Sequence, residues 1–227
     1  MKSRLISTLV YIFIASLAVG SQTTAIAAIG SVYIDPLLGG KENGITIAPK
    51  VAAKDITLST SQQLKKLLEE KNIVAVLSRD RDVSLTADER VVKGKMRGSS
   101  IYLAITVSKA SKNCIRFYYP KQKQDASKKN DQNLGGILEG LETQDRERES
   151  RRLTESISMS LQKKAPCVEM QGSTNYILKN AHAPVVILDF GISGSASPYV
   201  LDSVLMDKII KAISDGIKEY FAAQSHR

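Results

Sequence analysis

The chain has 227 residues, 43% of them hydrophobic, with two cysteines and 32 basic against 23 acidic side chains for a net charge of +9. That length bounds one ordinary domain after any leader is removed, and two cysteines exclude a disulfide-dense miniprotein. The positive balance favours anionic partners such as cell-wall glycans, lipid headgroups or nucleic acid over acid-poor ones, with a merely solvated basic surface as the plain alternative.

Met1-Lys-Ser-Arg4 is basic, an apolar run follows from Leu5 to about Gly20, and Ala25-Ile-Ala27 supplies small residues at cleavage spacing. This reads as a signal peptide over residues 1–27; an uncleaved membrane anchor is the competing reading. No cysteine lies at the cleavage site, which argues against a lipoprotein. Cleavage removes Lys2 and Arg4 and no acid, leaving a net charge of +7. Export makes nucleic acid the weakest of the three partners and predicts no stable membrane insertion after cleavage. In an oxidising compartment Cys114 and Cys167 can pair, or remain two separate buried thiols.

Gly30 to Asp35 predicts a strand, entering the turn Asp35-Pro-Leu-Leu-Gly-Gly40. Asp55 to Lys71 carries Ile56, Leu64, Leu67 and Leu68 at helical spacing. Ile73 to Leu77 is an apolar strand, Ala87 to Arg97 a shorter helix, and Ile101–Val107 and Ile115–Tyr119 are further strands. Residues 120–148 interrupt this rhythm with lysine, glutamine, asparagine and glycine, predicting a flexible insertion. Within it Leu134, Ile137, Leu138 and Leu141 share a helical face that Gly135, Gly136 and Gly140 weaken, so a surface loop with a transient helix and a lid over a groove both fit.

Leu153, Ile157 and Leu161 mark the next helix, Tyr176 to Leu178 a strand, and Val185 to Phe190 an apolar strand containing Asp189. The last element is a long helix burying Val204, Leu205, Ile209, Ile213, Ile217 and Phe221. Continuous apolar strands alternating with amphipathic helices predict an α/β fold, with a mainly parallel central sheet and helices on both faces.

Several stretches carry a resemblance. They are Tyr33-Ile-Asp-Pro-Leu-Leu-Gly-Gly40; Lys54-Asp-Ile-Thr-Leu58 with Leu64 to Lys71; Leu77-Ser-Arg-Asp80 with Val83-Ser-Leu85 and Glu89-Arg-Val91; Glu149-Ser150 with Leu153 and Ile157; Pro184 to Ser193; and Ala212 to Phe221. Six pieces in register over residues 28–227 resemble the zinc-dependent N-acetylmuramoyl-L-alanine amidases of peptidoglycan, the amidase type 3 fold, which is phosphorylase/hydrolase-like. The resemblance implies three zinc ligands, at positions that here carry Leu38, Ala53 and Thr106, and a catalytic glutamate where this chain has Asp189.

Catalytic zinc takes imidazole nitrogen or carboxylate oxygen at about 2.0 to 2.2 Å, and leucine and alanine offer neither. The only histidines, His182 before the last strand and His226 in the tail, stand at none of these places, and two further family polar positions fall on Lys95 and Ser100. The expectation is therefore a degenerate member without metal or other cofactor, a pseudoenzyme that is exported and binds peptidoglycan or a cell-envelope protein. Its binding residues would be Asp35, Lys54, Arg90, Thr106 and Asp189, with Asp189 hydrogen-bonded to Thr106 or paired with Lys54 or Arg90. The alternatives are a divergent amidase, with a metal on other groups such as Asp35, and a structural role docking through residues 120–148.

Other motifs carry less. Gly191-Ile-Ser-Gly-Ser-Ala-Ser197 has no histidine base beside it and reads as a turn into the final helix. Lys121, Lys123, Lys128 and Lys129 have only Tyr118 and Tyr119 as neighbouring aromatics, and read as a solvated loop rather than a polymer-binding strip.

Overall fold

The computed structural model describes residues 28–121, 134–194 and 198–225. The expected signal peptide, His226 and Lys123, Lys128 and Lys129 lie outside these residues.

Six strands form one sheet: β1 (Gly30–Pro36), β4 (Ile73–Leu77), β5 (Ile101–Lys109), β6 (Cys114–Pro120), β7 (Val168–Ser173) and β8 (Val185–Ile192), in the order β4-β1-β5-β8-β6-β7. β4, β1, β5 and β8 run parallel, β6 is antiparallel to β8, and β7 is parallel to β6. The sheet is mainly parallel, as expected. A two-stranded hairpin of β2 (Thr46–Ala48) and β3 (Val51–Ala52) leads into helix α1 (Ala53–Glu69). The other helices are α2 (Ala87–Arg97), α3 (Leu134–Leu161), α4 (Tyr176–Asn180), α5 (Pro198–Leu201) and α6 (Ser203–Gln224).

Alternation along the strands divides the core. Val32, Ile34, Leu103, Ile105, Phe117, Val186, Leu188 and Phe190 join the larger cluster with Leu64 and Leu68 of α1, Leu153, Ile157 and Leu161 of α3, and Ile209, Ile213 and Ile217 of α6. Tyr33, Tyr102, Ala104, Val185 and Ile187 point to the opposite face and pack with Ile177 and Leu178 of α4 and Val91 of α2. This second cluster stops at Ala104 on β5 and Ile187 on β8. Further along the same face, toward the carboxyl ends of the parallel strands, the register presents polar residues instead.

The structure changes several sequence expectations. Residues 134–148, expected as part of a flexible insertion, form the first half of α3; residues 122–133 lie outside the described residues. Tyr176–Asn180 is a helix rather than a strand, because the Asn175 side chain accepts the Ile177 N–H at 2.9 Å and caps it. β7, β2 and β3 had not been expected. In α6, Val204 is 61% exposed, whereas Ile209, Ile213, Ile217 and Phe221 are buried as expected.

α3 and α6 approach closely at Gly216, where a Cβ would stand 2.5 Å from the Ile157 Cα. Ser156 Oγ also donates to the Gly216 carbonyl at 2.7 Å across this crossing. Gly216→Ala must push two backbones apart, and the helix preference for alanine, about 1 kcal/mol, offsets only part of that. A net loss of about 1 to 2 kcal/mol is expected in urea unfolding; an unchanged or higher midpoint would show that the two helices have room to separate.

Candidate functional site

The site lies on the polar half of the second sheet face, where β1, β5, β8 and β6 present Asp35, Thr106, Ser108, Asp189 and Arg116. On one side stands the β1 exit loop, in which Leu38, Gly39 and Gly40 all have positive φ (68°, 119° and 58°). For leucine this left-handed backbone is unfavourable, so the surroundings must impose it.

Two buried arginines do so through carbonyl oxygens. Arg79 Nε donates to the Pro36 carbonyl at 3.0 Å and its Nη2 to those of Lys54 and Leu37 at 3.2 and 3.4 Å. Burial, with the neighbouring Arg90 second, draws the Arg79 guanidinium below its ordinary pKa. Arg90 Nη1 donates to the Pro36 carbonyl at 3.1 Å and Nη2 to that of Leu38 at 2.9 Å. The Asp82 carboxylate accepts the Gly40 N–H at 2.6 Å and Lys54 Nζ at 2.7 Å.

Asp35 lies fully buried beneath this loop. Its Oδ1 accepts from Ser78 Oγ and Arg90 Nη1, each at 2.5 Å, and its Oδ2 accepts the Tyr102 hydroxyl at 2.6 Å. Burial and then the Asp35 charge push the Tyr102 phenol far above its ordinary pKa, so it stays a donor.

The polar half of the face carries a second carboxylate. Asp189 stands opposite Thr106 of β5 and Arg116 of β6 in the strand registers. Its Oδ2 accepts Ser108 Oγ at 2.8 Å and Arg116 Nη2 at 2.6 Å, and Arg116 Nη2 also donates to Ser108 Oγ at 2.6 Å. Among the described residues the buried Oδ1 has no side-chain hydrogen-bond partner. Asp189 is 3% exposed, and burial pushes its carboxyl above the ordinary carboxylate range against the pull of Ser108 and Arg116.

The candidate binding residues thus separate. Thr106 and Asp189 are brought together, Asp35 and Arg90 form a buried pair, and Lys54 is tied to Asp82. The expected partners of Asp189 are corrected to Ser108 and Arg116. The sequence reading missed both, although one signal was available: Ile115-Arg-Phe117 sets a cation between apolar residues on a strand.

The three positions that the resemblance assigns to zinc do not fit that ion. Leu38 packs against the larger core cluster, Ala53 is fully buried, and both side chains close on Gly44, 2.6 and 2.8 Å from where its Cβ would be. Thr106 offers only a hydroxyl. Among the described residues, three metal-capable groups converge at Cys114, Cys167 and Glu169, where the two sulfurs form a disulfide.

The other described features lie away from Asp189. His182 is half-buried in the loop before β8, with burial lowering its pKa and the Ser99 backbone opposing that in part. Lys95 and Ser100 are exposed. A groove of about 660 Å³ between α3 and β7 is lined by Tyr119, Lys121, Glu147, Arg151 and Met170 among others.

The family model described as N-acetylmuramoyl-L-alanine amidase matches residues 32–219. The chain belongs to the N-acetylmuramoyl-L-alanine amidase family. The probable cell wall amidase LytH of Staphylococcus epidermidis is 27% identical over 200 residues, covering 85% of this chain and 59% of that protein. The amidase-family chain therefore spans less than two thirds of the length of the curated relatives it matches.

Two solved amidases show the same fold. AmiC2 of Nostoc punctiforme has a TM-score of 0.63 at 20% identity, over 86% of this chain and 99% of that one. CwlD of Clostridioides difficile, solved with the GerS lipoprotein, also has a TM-score of 0.63 at 20% identity, over 86% and 99%. The family match and the amidase relatives overturn the expectation of a pseudoenzyme. Among the described residues no helix is long and apolar enough to cross a membrane.

Proposed function

We propose that this chain is a divergent N-acetylmuramoyl-L-alanine amidase that hydrolyses peptidoglycan amide bonds in the cell envelope. The observation that carries the reading is Asp189. It keeps a carboxylate at the position the resemblance gives to the catalytic acid, beside the part-exposed Thr106, Ser108 and Arg116, in a chain matched over residues 32–219. The apolar leader, and the net charge of +7 that remains without residues 1–27, agree with export and an anionic polymer.

Leu38 and Ala53 offer no ligand atom to zinc, so the proposed chemistry rests on the chain's own side chains. Asp189 is the proton-handling group: with Oδ2 occupied by Arg116 and Ser108, Oδ1 keeps a lone pair for a proton. Hydrolysis adds water to the amide carbon and breaks the C–N bond, and Asp189 takes the proton from water and returns it to the leaving nitrogen.

Incubating the purified chain with sacculi and following newly exposed alanine amino groups tests this. Release is expected, and Asp189→Asn should reduce it by about 10² to 10⁴-fold with the fold intact by circular dichroism. Sacculi bound but left uncut by the unsubstituted chain would overturn the proposal. A protein partner in the envelope is a second reading, supported by the CwlD neighbour solved with a lipoprotein. Co-purification from envelope extracts checks it.

A further inference from the structure

We propose that Arg116 is a positioning residue that fixes the direction and the charge of Asp189. The inference rests on the amidase reading for its catalytic meaning, and on strand geometry for its substance. Arg116 reaches Asp189 and Ser108 together because three adjacent strands hold them in register: Asp189 opposite Arg116, Thr106 opposite Asp189, and Ser108 opposite Gly191.

The guanidinium crosses β8 over Gly191. A Cβ at Gly191 would stand 3.0 Å from Arg116 Nε and 3.0 Å from the Ala110 Cβ, so a side chain there would press on the crossing arginine. Arg116 Nη2 and Ser108 Oγ both donate to Oδ2. That pair of donors holds Oδ2 and with it the orientation of the carboxylate. A buried carboxylate left without such a cation would take up a proton and lose its use as a base.

Nothing else described at the carboxylate can substitute. Lys54 is held by Asp82 and Gly40, and Arg90 by Asp35 and the β1 exit loop. The disulfide strengthens the placement: Cys114 lies two residues before Arg116 and opposite Gly191, so the start of β6 is tied to the segment entering β7.

The test is the titration of the Asp189 carboxyl carbon, followed by ¹³C NMR in the folded chain and in Arg116→Gln, Arg116→Lys and Gly191→Ala. An opposite charge at this range lowers a carboxylate pKa by about 1 to 3 units, so Arg116→Gln should raise that of Asp189 by about that much. Arg116→Lys should return most of the shift, and Gly191→Ala should raise the value with every charge still present. The acid limb of the muropeptide-release profile should move to higher pH in the same variants. An Asp189 titration unmoved by Arg116→Gln and by Gly191→Ala overturns the inference, whatever the activity. Shifted titrations in a chain that never cuts sacculi would uphold the inference and reject the amidase reading.

Discussion

Asp35→Ala is expected to lower the unfolding free energy by about 3 to 5 kcal/mol, the usual cost of stranding one member of a buried ion pair. Three donors converge on this carboxylate, from Arg90, Ser78 and Tyr102, and the substitution leaves all three inside the protein with nothing to accept them. Arg90 is 4% exposed at the side chain and cannot turn to water without leaving the Leu38 and Pro36 carbonyls. Urea unfolding followed by circular dichroism gives the measurement. A paired control sharpens it: Asp35→Ala with Arg90→Met removes both charges, and should recover a substantial part of the loss. A single variant losing under 1 kcal/mol would mean that water reaches the pair.

The second large effect concerns Cys114 and Cys167, which lie 53 residues apart in sequence and are joined. Closing a loop of that length restricts the unfolded chain by roughly 4 kcal/mol on the chain-entropy model. Cys114→Ser with Cys167→Ser is expected to lose about 2 to 4 kcal/mol, read as a lower urea midpoint than the oxidised chain. The reduced unsubstituted protein should match the double variant. Hydrogen exchange should rise first in β7, an edge strand whose Glu169, Met170 and Gln171 are exposed and whose entry the disulfide anchors. Equal midpoints for oxidised and reduced protein would show that the bond restrains little.

Much of the architecture follows from hydrophobic period. β1, β5 and β8 read as apolar runs because core clusters lie on both of their faces, and α1 and α6 read through their spaced leucines and isoleucines. β7 escaped because Val168-Glu-Met-Gln-Gly-Ser173 shows neither a continuous nor an alternating apolar pattern. Tyr-Ile-Leu at 176–178 suits a strand by composition, and only the Asn175 cap decides otherwise. Gly140 argued against a helix, yet it sits in α3 with open space around it.

The candidate site was legible in part. Asp189 stood out as a carboxylate ending an apolar run. Arg116 did not, because the contact joins residues 73 apart in sequence and depends on the antiparallel register of β6 with β8. Asp35 and Arg90 were found individually, but their burial as a pair needs the placement of α2 beneath the β1 exit loop. The pseudoenzyme expectation weighed the three ligand positions with Lys95, Ser100 and the two histidines, and the family match over residues 32–219 outweighs it.

The β1 exit loop has one more implication. Arg79 and Arg90 grip it entirely by main-chain oxygens of residues 36 to 38, and Asp82 and Ser84 hold Gly39, Gly40 and Lys41 through main-chain atoms. The polar fastening of the loop is main-chain throughout, while Leu37 and Leu38 add apolar packing against the two core clusters. The polar grip on the loop therefore does not depend on which side chain stands at position 38, and what a substitution there would lose is apolar packing against the core and Gly44.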